Sequence, residues 1–303
     1  MSKLADPHRR SATQIWEKLT DFKRGEFYDH TTFRFTSAGL NVAVLAKVGG
    51  LLMYLDSLYR YPVKGLSPEP LMSAELIESA YFPGDRLFAL ENGPSGFDPE
   101  APVHQPKIKF LMLMKNDALA KLKSHYEDST GILTIKQDGR IGVQACLFER
   151  SGRARIEAYL TDYARNELRG AIRLLTAPEG FRFTDSKSGF ISLVNLSSVK
   201  SLGQALETFV DPLRFRANIY IDKAAPWSEL EWPGRQMRLG EARLEILKMT
   251  DRCAATGVEP GTGIRDMDIV QALYKNFGHN DCGVYARIIS GGRVAPGDTL
   301  EFL

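Results

Sequence analysis

Between Leu247 and Asp266 the chain reads LKMTDRCAATGVEPGTGIRD, a stretch that can be neither a helix nor an uninterrupted strand. Upstream, Ala242, Leu244 and Ile246 alternate with Arg243 and Glu245, the period of a half-buried strand. Downstream, Gly257, Pro260, Gly261 and Gly263 break any regular element. Cys253 therefore leaves a strand end into a tight loop. It follows Arg252, and a guanidinium facing the sulfur would favour thiolate over thiol, giving a nucleophile or a soft metal ligand. A lone cysteine is as often a small buried hydrophobe, so Cys253 acquires chemical meaning only from the residues around it.

The 303 residues suffice for one or two domains with a substantial core. The net charge is +2, from 39 basic and 37 acidic side chains, so a nucleic acid is not the expected partner and any anion site must be a local cluster of cations. Cys146, Cys253 and Cys282 are odd in number, far apart and without CxxC spacing, which argues against a disulfide framework or a zinc site and for a reducing, cytoplasmic location. Residues 1–52 differ in character from the rest. We read them as an extension that is disordered or results from the choice of start site, since Met53 immediately precedes the first well-patterned strand. The apolar run Val42–Tyr54 is broken by Lys47 and by Gly49 and Gly50, so it is too short and interrupted to span a membrane and leaves room only for an interfacial anchor; membrane association is not expected.

From Tyr54 the pattern is predominantly β, and the expected fold class is α+β. Strands are expected at Tyr54–Tyr61, Pro70–Glu78 and Arg86–Leu90, with two charged turns between them, YPVKG carrying Lys64 and PGDR carrying Arg86. Asn116 or Asp117 would cap a short helix, and a hairpin follows over Gly131–Phe148, with Cys146 as packing. A helical stripe over Arg153–Arg169 stops at Gly170, the expected end of an N-terminal domain over 53–170; a second domain would cover 171–303. There the sequence predicts a strand at Ile191–Val194, a helix at Ser198–Leu206 capped by Ser197 or Ser198, and a strand at Phe215–Asp222 with Arg216 and Asn218 on one face. Past the Cys253 loop come a helix through Ile269–Phe277 and closing strands at Val284–Ile289 and Thr299–Leu303.

A cysteine in a strand-end loop, an Arg-x-Asn strand before it, and the YPVKG and GDR turns form a specific set. With FRANIYID, DRCAATGVEPGTGIRD and GGRVAPGD in that order, residues 54–303 resemble the MOSC family, related to the C-terminal part of molybdenum cofactor sulfurase. The likeness is to its two-part form in amidoxime-reducing proteins, in which an N-terminal β-barrel-like domain precedes a MOSC β-barrel with short helices. The resemblance implies a pterin-based molybdenum cofactor whose metal is bound by Cys253; a soft thiolate suits such a metal. It implies cofactor contacts from Lys64, Arg86, Ser198, Arg216, Asn218, Arg252 and Tyr285, arginine binding phosphate as a fork and lysine as a point charge. Gly65 stands where the animal reductases carry a serine that also touches the cofactor. The chain carries no clustered cysteines for an internal iron–sulfur cluster, so electrons would come from a separate ferredoxin, flavoprotein or cytochrome. A pyridoxal phosphate association would be a property of the wider family and not of residues here.

The expected activity is reduction of N-hydroxylated compounds by a molybdenum-dependent oxidoreductase, with Thr256 and Glu259 placing the substrate or delivering protons. The alternative is a sulfur or cofactor carrier using Cys253 as a persulfide. A third reading, a cysteine hydrolase, would need a histidine, and His279 is the nearest in sequence after Cys253.

Overall fold

The computed structural model describes residues 52–187 and 190–303; the extension expected over residues 1–52 lies, but for Leu52, outside the described residues. The described residues cluster as one compact unit. The fold is predominantly β, with three α-helices among the described residues. In chain order, β1 is Met53–Arg60, β2 Glu69–Leu71, β3 Ala74–Leu76, β4 Phe88–Asn92, β5 Lys123–Glu127, β6 Ile132–Gln137 and β7 Arg140–Cys146. Helix α1, Arg150–Tyr163, and β8, Ile172–Thr176, are followed by β9, Ile191–Asn195, helix α2, Leu196–Ala205, and β10, Ile219–Asp222. The chain continues through β11 Gln236–Leu239, β12 Ala242–Asp251, helix α3 Ile269–Phe277, β13 Asp281–Ser290, β14 Gly292–Val294 and β15 Thr299–Phe302.

Seven of these strands close a barrel in the order β10-β9-β13-β12-β11-β15-β1, with β1 returning to β10 and β2 added alongside β1. The β9–β10 pair is parallel, which demands a crossover, and α2 supplies it. Alternation sets the inside of the barrel. Ala242, Leu244 and Ile246 are fully buried with Leu55, Leu239, Val284 and Ala286, while Glu245 faces outward and pairs with its cross-strand neighbour Arg287. Three irregularities in the β12–β13 ladder, the last between Met249 and Asp251, bend the end of β12 that leads into the Cys253 loop.

Strand pairing does not follow the boundary expected near Gly170, because β1 belongs to the barrel. Much of the rest of the first part builds a second core from Val63 through Leu174, under the β5–β7 meander, the β4–β8 pair and α1, while Ala74, Leu76 and Phe82 join the barrel core. A third core joins α2 and α3 to Phe215, Ala217 and Tyr220.

Several expected elements are corrected. The strand expected at Phe215–Asp222 is shorter, since Pro212–Phe215 is a 3-10 turn and Arg216 adopts a left-handed backbone, φ 52° and ψ 41°. Pro70–Glu78 divides into β2 and β3, and the helix near Asn116 is a single 3-10 turn, Asp117–Lys121, without a side-chain cap. Helix α1 stops at Tyr163, before Gly170. Helix α2 is capped by Asn195, whose side chain accepts from the Ser197 N–H, and not by a serine. The short strands β5, β8, β11 and β14 are additional; even where they alternate, as β5 and β11 do, so short a run is a weak signal.

Candidate functional site

The loop after β12 opens onto a cavity of about 230 Å³ to which both parts of the chain contribute walls. Its lining brings together Lys64, Arg86, Arg216, Asn218, Arg252, Cys253, Thr256 and Tyr285, and leaves out Ser198 and Glu259. Local hydrogen bonds explain the convergence of the two charged turns. The Tyr61 N–H donates to Asp85 Oδ1 at 2.8 Å and the Arg86 N–H to the Tyr61 carbonyl at 2.8 Å, so YPVKG, at the end of β1, is fastened to PGDR. The Lys64 N–H is tied to the Phe88 carbonyl, and Gly65 makes the bend with φ 86°.

The cations differ in how far the protein satisfies them. Lys64 is buried; its ammonium donates to the Phe183 carbonyl at 3.0 Å and pairs with Asp185. Burial pushes the Lys64 ammonium down, opposed by Asp185. Burial alone would raise the Asp185 carboxyl, but Lys64, Lys107 and Arg86 outweigh it and hold the group at about 2. Arg86 donates through one nitrogen to both Asp85 oxygens and through the other to the Arg216 carbonyl. The Arg216 guanidinium makes no hydrogen bond or ion pair among the described residues, and burial pulls it down.

The loop itself is pinned in place. Thr256 donates both its N–H, at 3.0 Å, and its hydroxyl, at 2.9 Å, to the Cys253 carbonyl. Arg265 reaches Asp117, the Ala254 carbonyl and the Leu113 and Met114 carbonyls, tying the loop to the other part of the chain. Arg214 is buried, pairs with Asp266 at 2.7 Å and has an unpartnered Nε.

Some expected roles shift with this geometry. Arg252 does not serve as the cation beside the sulfur: its guanidinium donates to the Cys282 and Phe215 carbonyls and lies over the Phe215 ring, as a structural brace. Lys107 lines the same cavity as Cys253 and is the cation whose charge responds to that sulfur. Burial works against the Lys107 ammonium, but Cys253, Asp185 and Asp251 outweigh it and raise its pKa. Asn218 lines the cavity, yet its amide is committed to Ser192 and to the Tyr59 carbonyl, so it joins β1, β9 and β10. Ser198 binds Glu229 and the Trp227 N–H away from the cavity, and Glu259 accepts from Thr262 within its own turn. His279 packs against Trp227 and Phe277 and is not on the cavity wall, which removes the basis of a Cys–His hydrolase. Cys282 is fully buried, and burial pushes its thiol up to about 12, leaving it inert.

Lys107, Asp185 and Thr250 are among the wall residues that sequence reasoning passed over. The Thr250 hydroxyl is buried on the cavity wall without a hydrogen-bond partner, a donor left for a ligand. Among the described residues no group of three or more His, Cys, Asp or Glu side chains is placed to hold a metal ion.

Comparison with known proteins matches one part of this cavity's wall. The profile of the MOSC domain matches residues 181–301. The chain carries a MOSC domain. The domain includes β9 to β15, the Cys253 loop and most of the barrel wall of the cavity. Molybdenum cofactor sulfurase of Drosophila grimshawi is 35% identical over 119 residues, covering 37% of this chain and 15% of that protein. The protein of the same name from Drosophila pseudoobscura pseudoobscura is 33% identical over 101 residues, 32% of this chain and 12% of that protein. The match therefore spans less than a fifth of those relatives' own length. Among solved structures, the YuaD protein of Bacillus subtilis aligns over 83% of this chain and 96% of its own at 12% identity, with a TM-score of 0.39. YiiM of Escherichia coli aligns over 41% and 57% at 20% identity, with a TM-score of 0.30. No helix among the described residues is long and apolar enough to cross a membrane.

Proposed function

We propose that the cavity binds a molybdenum pterin cofactor and that the protein reduces N-hydroxylated compounds with electrons from a separate donor protein. The observation that carries this reading is the meeting, in one cavity, of the MOSC-loop thiol Cys253 with Lys64, Arg86 and Arg216 from three other segments. The residues fit such a group. One thiolate supplies one bond, so a metal held here would bring ligands of its own, as a dithiolene cofactor does. Arg216 and the Thr250 hydroxyl have unspent donors, and a phosphate and a polar pterin offer acceptors for them.

When bound, the cofactor supplies two-electron chemistry at an oxygen-bearing substrate. The chain's own residues bind, orient and set charge. Lys64, Arg86 and Arg216 take the phosphate, and Cys253 offers its sulfur from a loop that Thr256 and Arg265 hold rigid. Lys107 supplies the positive charge beside that sulfur. The overall reaction is balanced as R–NHOH plus two electrons and two protons giving R–NH2 and water. A ferredoxin, flavoprotein or cytochrome would deliver the electrons.

A second reading is favoured by the name of the relatives, molybdenum cofactor sulfurase: Cys253 would carry sulfur as a persulfide, with Lys107 at its side. One assay separates the two. Protein from a host competent in cofactor synthesis is given benzamidoxime and reduced methyl viologen. Benzamidine should form, and should not form with Cys253→Ser. Molybdenum-loaded protein that makes no benzamidine would overturn the reductase reading, and sulfane sulfur on Cys253 in that protein would support the carrier.

A further inference from the structure

We infer that Tyr61 is the positioning residue of an oxyanion clamp, its buried ring setting the spacing of the Arg86 and Arg216 guanidinium groups for one phosphate-type anion. This deepens the proposed cofactor site, whose phosphate would be that anion, although the same geometry would accept free inorganic phosphate. Both guanidinium carbons lie 4.4 Å from the centre of the Tyr61 ring, so the two groups can be no farther apart than twice that distance. Two like charges held over one buried ring repel unless something compensates each of them. The quadrupole of that ring attracts both cations.

The rest of the surroundings agrees with this assignment. Arg86 and Arg216 are two of the few non-glycine residues with positive φ, 47° and 52°, a conformation that costs energy and persists where the surroundings impose it. Tyr61 is itself immobile: fully buried, with its N–H on Asp85 and its carbonyl accepting from Arg86. Its hydroxyl interacts with Tyr220, whereas both guanidinium groups lie over the ring, so the ring is the part that meets the arginines. The charge count leaves one vacancy. Asp85 satisfies Arg86 through both oxygens, Asp185 satisfies Lys64, and Arg216 alone of the three faces the cavity without an anionic or hydrogen-bonding partner among the described residues. An oxyanion with several acceptor oxygens completes Arg216 and can share the outer donors of Arg86 and Lys64.

The test compares Tyr61→Phe, Tyr61→Leu and Arg216→Lys in the full chain with two readouts. Calorimetry measures inorganic phosphate binding to protein from a host unable to make the pterin; fluorescence measures pterin released from protein made in a competent host. Tyr61→Phe keeps the ring and should stay within about twofold of wild type in both. Tyr61→Leu should weaken anion binding about tenfold or more, and Arg216→Lys, which keeps the charge but loses the planar fork and the stacking, should do the same. If Tyr61→Leu fails to fold, by circular dichroism, Arg216→Lys carries the comparison. The inference is overturned if Tyr61→Leu or Arg216→Lys, folded, retains wild-type binding, or if Tyr61→Phe loses as much as Tyr61→Leu. Phosphate binding with this dependence in a protein that never carries pterin keeps the clamp and removes the cofactor. Pterin binding with this dependence but no affinity for free phosphate keeps the clamp and assigns it to the cofactor. Pterin binding indifferent to Tyr61 does the reverse, leaving the cofactor reading and removing the clamp.

Discussion

Replacing Gly65 by alanine should destabilise the protein by about 2 kcal/mol, and the reason can be followed atom by atom. Gly65 has φ 86°, and a Cβ built there would stand 2.9 Å from the Leu111 carbonyl oxygen, which is backbone and cannot swing away. The two segments are fixed, because the Leu111 N–H donates to the Leu90 carbonyl and the Lys64 N–H to the Phe88 carbonyl, each at 2.8 Å. An L-residue forced into this region costs about 1–2 kcal/mol. The close contact adds about 1 kcal/mol of displacement, and the stiffer unfolded chain returns about 0.5–1 kcal/mol. For a domain of this size a net loss near 2 kcal/mol corresponds to a melting temperature lower by about 4–8 °C. The same cost applies to Gly65→Ser, so restoring the serine of the animal reductases should not improve cofactor retention here. Melting followed by circular dichroism decides it: a Gly65→Ala protein melting within a degree of wild type would show that the Lys64 turn is not held as described.

Cys253→Ser should leave the fold intact and retain part of the pterin, held by Lys64, Arg86 and Arg216, while N-reduction disappears; measured pterin, molybdenum and benzamidine would show whether it does. Arg252→Met should cost about 3 kcal/mol in a urea titration, because two buried carbonyls lose charged donors; unchanged stability with slowed alkylation of Cys253 would instead restore Arg252 as the cation at the sulfur. The carboxyl of Asp185 is held below its ordinary value, so its contribution to stability is present above about pH 4 and is lost as the pH falls towards 2. With that carboxylate half-exposed and screened, the contribution is about 1 kcal/mol, and Asp185→Asn should flatten this part of the acid unfolding curve; an identical acid profile would contradict the pairing with Lys64.

Much of the cavity wall was legible wherever a local signal coincided with a residue that lines it. Alternation at Ala242–Ile246 followed by glycines and a proline placed Cys253 at a strand end, and the two charged turns placed Lys64 and Arg86. Arg216 was found for the wrong structural reason: strand periodicity put it beside Asn218, whereas its left-handed backbone turns it towards Tyr61 and leaves Asn218 to bind Ser192. Arg252 misled because adjacency in sequence does not aim a guanidinium, and here buried carbonyls claim it. Ser198 was drawn to Glu229, a buried carboxyl distant in sequence. Lys107 lies in a Gly- and Pro-rich loop and Asp185 in a polar stretch, where no periodicity marks a side chain that folding carries to Cys253 or Lys64.

If Cys253, Lys64, Arg86 and Arg216 surround a molybdenum pterin cofactor, metal and pterin must be purified with the chain. The most direct measurement is elemental molybdenum together with released, oxidised pterin in the full chain purified from a host competent in cofactor synthesis. The two should be found together, in equal amounts, and both should be lost in the combined Lys64→Ala, Arg86→Ala and Arg216→Ala variant. Folded wild-type protein from such a host with neither molybdenum nor pterin would contradict it.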